Sequence, residues 1–216
     1  MPAPLPISGY ILAGGRSSRM GTDKALLPLA GKPLIAHAVA KLRRICADVH
    51  ILGSNPALAA YAPLVPDLHP NCGPVGGIET ALTHSTREWN FILPVDLPFL
   101  PAAILRDLAA ATTAPAATNR VAMFAIDHRP QPAVCLLHKD LAPSIAAAVA
   151  LGEHKLLSVL EAAAHVLALQ RGHPLHHFLR YHPLPESDRA NQATWFANLN
   201  TPEDFALAKA NAALDT

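Results

Sequence analysis

Short apolar runs alternate with amphipathic stretches along the first 115 residues of the chain. Residues 7–13 form an apolar run read as a first buried strand. Pro33 suits the first turn of a helix, where its missing N–H costs little. Leu34, Ile35, Ala38, Val39, Leu42, Ile45 and Cys46 then recur at helical spacing, and Lys41, Arg43 and Arg44 are assigned to the solvent side. Residues 49–52 read as a second strand closed by Gly53-Ser54-Asn55-Pro56, residues 57–62 as one or two helical turns, and residues 64–67 as a third strand. A helix begins near Pro74 and runs to His84, residues 91–95 form a central strand that delivers Asp96, and Pro101 starts a helix through Ala111. This alternation predicts an α/β fold, a doubly wound, mostly parallel Rossmann-like sheet. Ligands of such sheets gather beyond the carboxyl ends of the strands, so the loop at Gly14, the turn at Gly53, Asp67 and Asp96 are expected on one edge.

Beyond residue 118 the pattern changes. Residues 121–126 and 133–137 read as two strands around a turn at His128-Arg129-Pro130, followed by helices over 140–150 and 154–163 and a strand over 166–169. Residues 195–199 read as a last strand, and Thr201-Pro202-Glu203 as an N-cap with proline at the first helical position. With no repeat or low-complexity linker, residues 1–216 are expected to form one domain, made of a half over 7–115 and a half over 116–213 whose patterns differ.

The strand at 7–13 ends in a glycine pair, Gly14-Gly15, and a basic loop carrying Arg19 and Lys24. Glycines let backbone N–H groups approach an anion, and the two cations supply the charge a polyphosphate needs, so the loop points to a nucleoside triphosphate. It is neither a Walker A loop nor a dinucleotide fingerprint, because Gly15 and Gly21 are six apart and Thr22-Asp23-Lys24 follows. Asp96, between Pro94 and Pro98, offers hard oxygens for Mg2+; the alternative is an aspartate that caps the following helix. Asp67 is a weaker candidate that could equally stabilise a turn, and Asp23 more simply positions the loop.

Composition narrows the choice. Seventeen basic and sixteen acidic residues leave no polyelectrolyte surface for nucleic acid. The three cysteines are widely separated, which argues against zinc or a disulfide framework and makes Cys46 and Cys135 buried thiols. Residues 1–6 lack the features of a signal peptide, and no apolar run is long enough to span a bilayer, so a cytoplasmic protein without a membrane partner is expected.

The order Leu12-Ala13-Gly14-Gly15-x-Ser-x-Arg-Met-Gly-x-Asp-Lys, followed by Leu29-Ala30-Gly31-Lys32-Pro33-Leu34, resembles the signature of nucleotidyltransferases related to molybdenum cofactor guanylyltransferase. Gly73-Pro74-Val75-Gly76-Gly77, Pro94-Val95-Asp96-Leu97-Pro98-Phe99 and Asn198-Leu199-Asn200-Thr201-Pro202-Glu203-Asp204 are similar to later segments of the same family. The resemblance implies transfer of GMP from GTP to the phosphate of molybdopterin, already carrying molybdenum, with release of pyrophosphate. Arg19, Lys24 and Asp96 would be catalytic. Leu12, Ala13, Gly14, Gly15, Lys24, Asn55, Asp67 and Asp96 would bind the nucleotide, with Mg2+ on Asp96. Gly73, Gly77, Asn198 and Asn200 would face the acceptor, the two asparagines alternating on one face of the last strand, though local turn roles fit them equally. It also implies transient contacts with molybdoenzymes or their chaperones. The opening Leu-Ala-Gly-Gly favours guanine, leaving a cytidylyl enzyme and a sugar-phosphate nucleotidyltransferase as alternatives. Residues 170–193, with His173, His176, His177 and His182 among three prolines, depart from the pattern and read as an irregular solvated loop or partner contact rather than a transition-metal site.

Overall fold

In the computed structural model, residues 3–14 and 23–210 are described. Nine strands are present among them: β1 (Leu5–Leu12), β2 (Pro28–Leu29), β3 (Lys32–Pro33), β4 (Cys46–Leu52), β5 (Leu64–Val65), β6 (Trp89–Pro94), β7 (Val121–Ile126), β8 (Arg129–His138) and β9 (Leu179–Pro183). The α-helices are α1 (Leu34–Arg43), α2 (Gly73–His84), α3 (Ala102–Thr112), α4 (Ala142–Ala150), α5 (Leu156–Arg171), α6 (Gln192–Trp195) and α7 (Pro202–Ala210). Seven strands make one sheet in the order β5-β4-β1-β6-β8-β7-β9, and β2 and β3 form a separate hairpin. Only β8 runs against its neighbours, pairing antiparallel to both β6 and β7. The expected mostly parallel α/β sheet is therefore the observed one.

Two apolar clusters lie on opposite faces of this sheet, as period-two alternation requires. Ile7 and Ile11 of β1 face α1, α3 and α7, whereas Tyr10 faces α2, α4 and α5. Each fully buried Leu or Ile contributes about 1.5–3 kcal/mol of transfer free energy. At Gly9 a Cβ would lie 3.0 Å from Cys46 Sγ and 3.1 Å from Leu42 Cδ1. The absence of a side chain there lets α1 and β4 close on β1.

Several expectations are corrected. The first helix ends at Arg43, and Cys46 opens β4, so its apolar side chain belongs to the strand. Lys41 is not on the solvent side but 3% exposed. The strand expected over 166–169 is the last part of α5, whose alanine- and leucine-rich run continues to a left-handed Gly172. Residues 195–199 are not a strand, because α6 occupies Gln192–Trp195 and the chain then continues without regular structure. The segment 170–193 is not irregular throughout: β9 pairs parallel with β7, Phe124 opposite His182. His182 packs its ring edgewise on Phe124. Cys46 and Cys135 are buried thiols, as expected. Among the described residues no helix is long and apolar enough to cross a membrane.

Two measurements test this packing. Gly9→Ala should destabilise the fold by about 1–3 kcal/mol, read as a lowered urea midpoint, because the new methyl crowds two buried neighbours, Leu42 and Cys46. Burial lowers the pKa of His50, His138 and His182 below the ordinary 6.5. The unfolded chain therefore binds these protons first, and the stability they contribute is complete above pH 6.5 and lost as pH falls toward their folded values. The melting temperature should decline on acidification below pH 6.5; a flat profile between pH 7 and 5 would contradict this.

Candidate active site

Register brings four parallel strands to a common edge. Leu12 pairs with Leu52 and Pro94, and Leu52 with Val65, so β1, β4, β5 and β6 end side by side. The loops leaving them carry the residues singled out in the sequence. Ala13 N donates to Leu52 O at 3.3 Å and Val95 N to Leu12 O at 3.2 Å, continuing the ladder into the loops. Gly53, at φ +143°, adopts a backbone unfavourable to other residues and lies against Gly14, its missing Cβ 3.7 Å from Gly14 N. Gly14 in turn faces Asp67, whose Oδ2 would be 3.8 Å from a Cβ on Gly14. Burial pushes the Asp67 carboxyl above the usual range.

Lys24 is the centre of the arrangement. It opens a short 3-10 turn capped by Asp23, whose Oδ1 accepts from Ala25 N at 2.9 Å. Its Nζ donates to Asp96 Oδ2 at 2.7 Å and to Asn200 Oδ1 at 2.6 Å. The lysine and aspartate side chains are 18% and 19% exposed. Asp96 Oδ1 is buried and, among the described residues, accepts no hydrogen bond. A carboxylate oxygen in that state, with the amide oxygen of Asn200 nearby through Lys24, is a hard-oxygen donor set that suits a magnesium ion.

The segment 196–201 is held in place by backbone as well as by Lys24. Leu199 N donates to Asp96 O at 3.2 Å, and Leu199 is buried in the cluster with Ile11. Asp204 Oδ2 accepts from Asn200 N and Thr201 N, both at 2.8 Å, and Thr201 Oγ1 accepts from Asp204 N at 3.1 Å. That reciprocal arrangement is a capping box at the start of α7. The two backbone donors hold the Asp204 carboxyl below its usual range.

The other candidates are distributed as follows. Leu12 and Ala13 are half-buried and Gly14 exposed at the end of β1, while Gly15 and Arg19 lie outside the described residues. Asn55 is committed within the protein: its amide donates to Asp23 Oδ2 and its Oδ1 accepts from Ala57 N at 3.0 Å, tying the turn after β4 to the end of the glycine loop. Gly73 is exposed at the first turn of α2, on the same strand-end edge, with φ +59°. Gly77 lies one turn deeper and is buried, a Cβ there falling 2.7 Å from Leu12 Cδ2. Asn198 is exposed. Two residues were missed by the sequence reading. Asp204 had a signal in the spacing Thr-x-x-Asp, and Lys41, which donates to Leu97 O at 2.9 Å and to Pro98 O, had one in falling on the apolar stripe of α1. Among the described residues no group of three or more His, Cys, Asp or Glu side chains is arranged to hold a metal ion, the clustered His173, His176 and His177 included.

Known proteins share this organisation. The model for the MobA-like NTP transferase domain matches residues 9–169. A molybdenum cofactor guanylyltransferase of Xanthomonas euvesicatoria is 34% identical over 203 residues, covering 93% of each chain. One from Serratia proteamaculans is 37% identical over 164 residues, covering 73% of this chain and 80% of its own. The crystal structure of molybdopterin-guanine dinucleotide biosynthesis protein A from Archaeoglobus fulgidus superposes with a TM-score of 0.71 at 23% identity, covering 94% and 97% of the two chains. The strand-end placement of Gly14, Lys24 and Asp96 accords with these likenesses, and the chain belongs to the MobA-like NTP transferase family.

Proposed function

We propose that this protein transfers GMP from GTP to the phosphate of molybdenum-bound molybdopterin, forming the guanine dinucleotide cofactor and releasing pyrophosphate. The observation that carries the reading is Lys24 Nζ lying between the Asp96 carboxylate and the Asn200 amide at the edge where four parallel strands end. The names of the Xanthomonas and Serratia relatives support the guanylyl donor and the molybdenum cofactor. Residues 7–115 form the nucleotide-binding half of a single domain and residues 116–213 the acceptor half. Transient delivery to molybdoenzymes or their chaperones, in the cytoplasm, belongs to the same proposal.

The attacking group is a phosphate oxyanion, so no side chain has to remove a proton from it. Catalysis falls to positioning and to charge stabilisation. Leu12 and Ala13, held in the ladder through Leu12 O and Ala13 N, would lead into the loop from which Gly14 and Gly15 offer backbone to the triphosphate, with Arg19 and Lys24 compensating the charge that grows on the departing pyrophosphate. Lys24 can turn from Asp96 toward phosphate because its side chain is long and partly exposed. Asp96 and Asn200 would hold Mg2+, which when bound spreads the triphosphate charge and favours departure of pyrophosphate. Asp67 borders the glycine loop, and Asn55 shapes the base pocket by holding Asp23. Gly73 and Asn198 line the acceptor side, and Gly77 serves it by letting α2 approach β1.

Pyrophosphate release from GTP, CTP, ATP and UTP, with Mg2+ and with or without molybdopterin, tests the assignment. GTP should be preferred and turnover should require the pterin. Preference for CTP, or turnover with a sugar phosphate alone, would overturn it. Asp96→Asn and Lys24→Met should each lower kcat/KM by about 10²–10³-fold without loss of fold, as seen by circular dichroism. Near-normal turnover in Asp96→Asn would show that the metal is held elsewhere.

A further inference from the structure

Helix α1 carries an amine where its packing face calls for an apolar group. Lys41 is 3% exposed and shares the buried stripe of the helix with Leu34, Ala38 and Leu42. Its Nζ donates to Leu97 O at 2.9 Å and also to Pro98 O. Both carbonyls belong to the turn that directly follows Asp96. A methionine of similar length would fill the same volume without taking a polar head out of water, so packing alone does not account for a lysine. What the amine adds is direction.

Pro94, Pro98 and Pro101 have no N–H, so this turn cannot be pinned through those positions by backbone donors. Besides Leu100 N, which donates to Leu97 O at 3.5 Å within the turn, hydrogen bonds reach it from three sides. Val95 N reaches Leu12 O, Leu199 N reaches Asp96 O, and Lys41 reaches the carbonyls of Leu97 and Pro98 from beneath. From this braced turn the Asp96 side chain extends to Lys24, which also reaches Asn200.

We infer that Lys41 is a positioning residue, which sets the aim of the Asp96 carboxylate at the metal–triphosphate by anchoring the turn behind it. The inference rests on the reading of Asp96 as a metal ligand proposed above. It is tested with the full chain by titrating Mn2+ in the presence of GTP and absence of acceptor, following free Mn2+ by electron paramagnetic resonance, alongside melting temperatures. Asp96→Asn, Lys41→Met and Lys41→Gln are compared with the wild type. Lys41→Met should weaken Mn2+ binding by the folded protein about 10-fold, the size of effect typical of groups that orient metal ligands, whatever melting temperature is lost with the two carbonyls' donor. Lys41→Gln, which keeps an amide donor, should fall between it and the wild type. A role in packing alone would lower the melting temperature and leave the Mn2+ constant of the folded protein unchanged. Wild-type Mn2+ affinity in folded Lys41→Met or Lys41→Gln, with Asp96→Asn weakened, overturns the inference and spares the ligand reading; should the methionine variant not fold, the glutamine variant decides. Unchanged affinity in Asp96→Asn overturns both.

Discussion

One amine ties together three parts of the chain that are remote in sequence. Lys24 Nζ reaches Asp96, 72 residues away, and Asn200, 176 residues away. The first contact fixes the end of the glycine loop to the central strand, and the second brings the returning C-terminal segment over the same edge. At under one-fifth exposure both partners are shielded enough for the pair to matter more than a surface ion pair, and open enough for the lysine to exchange partners. A deeply buried pair would lack that freedom, because separating its charges away from water costs several kcal/mol.

The first 115 residues were legible because their periodicities are clean. Isolated apolar runs of strand length separated by helical stripes and glycine or proline stops leave one economical fold, and the strand-end rule then collects Gly14, Gly53, Asp67 and Asp96 without further help. The later half was harder for identifiable reasons. Alanine and leucine in 156–171 suit a helix throughout, but the β-branched Val166 inside them drew a strand assignment over 166–169. Residues 195–199 are an apolar run of strand length broken only by Asn198, yet the segment packs Trp195, Phe196 and Leu199 onto a sheet that is already complete beside β6. Tertiary packing there outweighed a local pattern.

Lys41 shows a different kind of error. Charge assigned it to solvent, whereas spacing assigns it to the core: 34, 38, 41 and 45 are successive turns of one face. Where residue type and position disagree, the buried charged group has a partner to satisfy, and the carbonyls of a proline-rich turn are such partners. His37 on the same face repeats the lesson, its ring N–H donating to Leu29 O at 2.9 Å. Both side chains turn α1 from a simple packing element into a brace for the two loops that flank it.

The long reach from Lys24 to Asn200 also bears on how the protein is made. At a synthesis rate of roughly 5–20 residues per second, the 176 residues between them take roughly 9–35 s to appear. A nascent chain can fold β1, β4, β5 and β6 during that interval, yet Lys24 lacks its second partner until Asn200 has left the ribosome. Assembly of the strand-end edge therefore lags behind assembly of the sheet on which it rests.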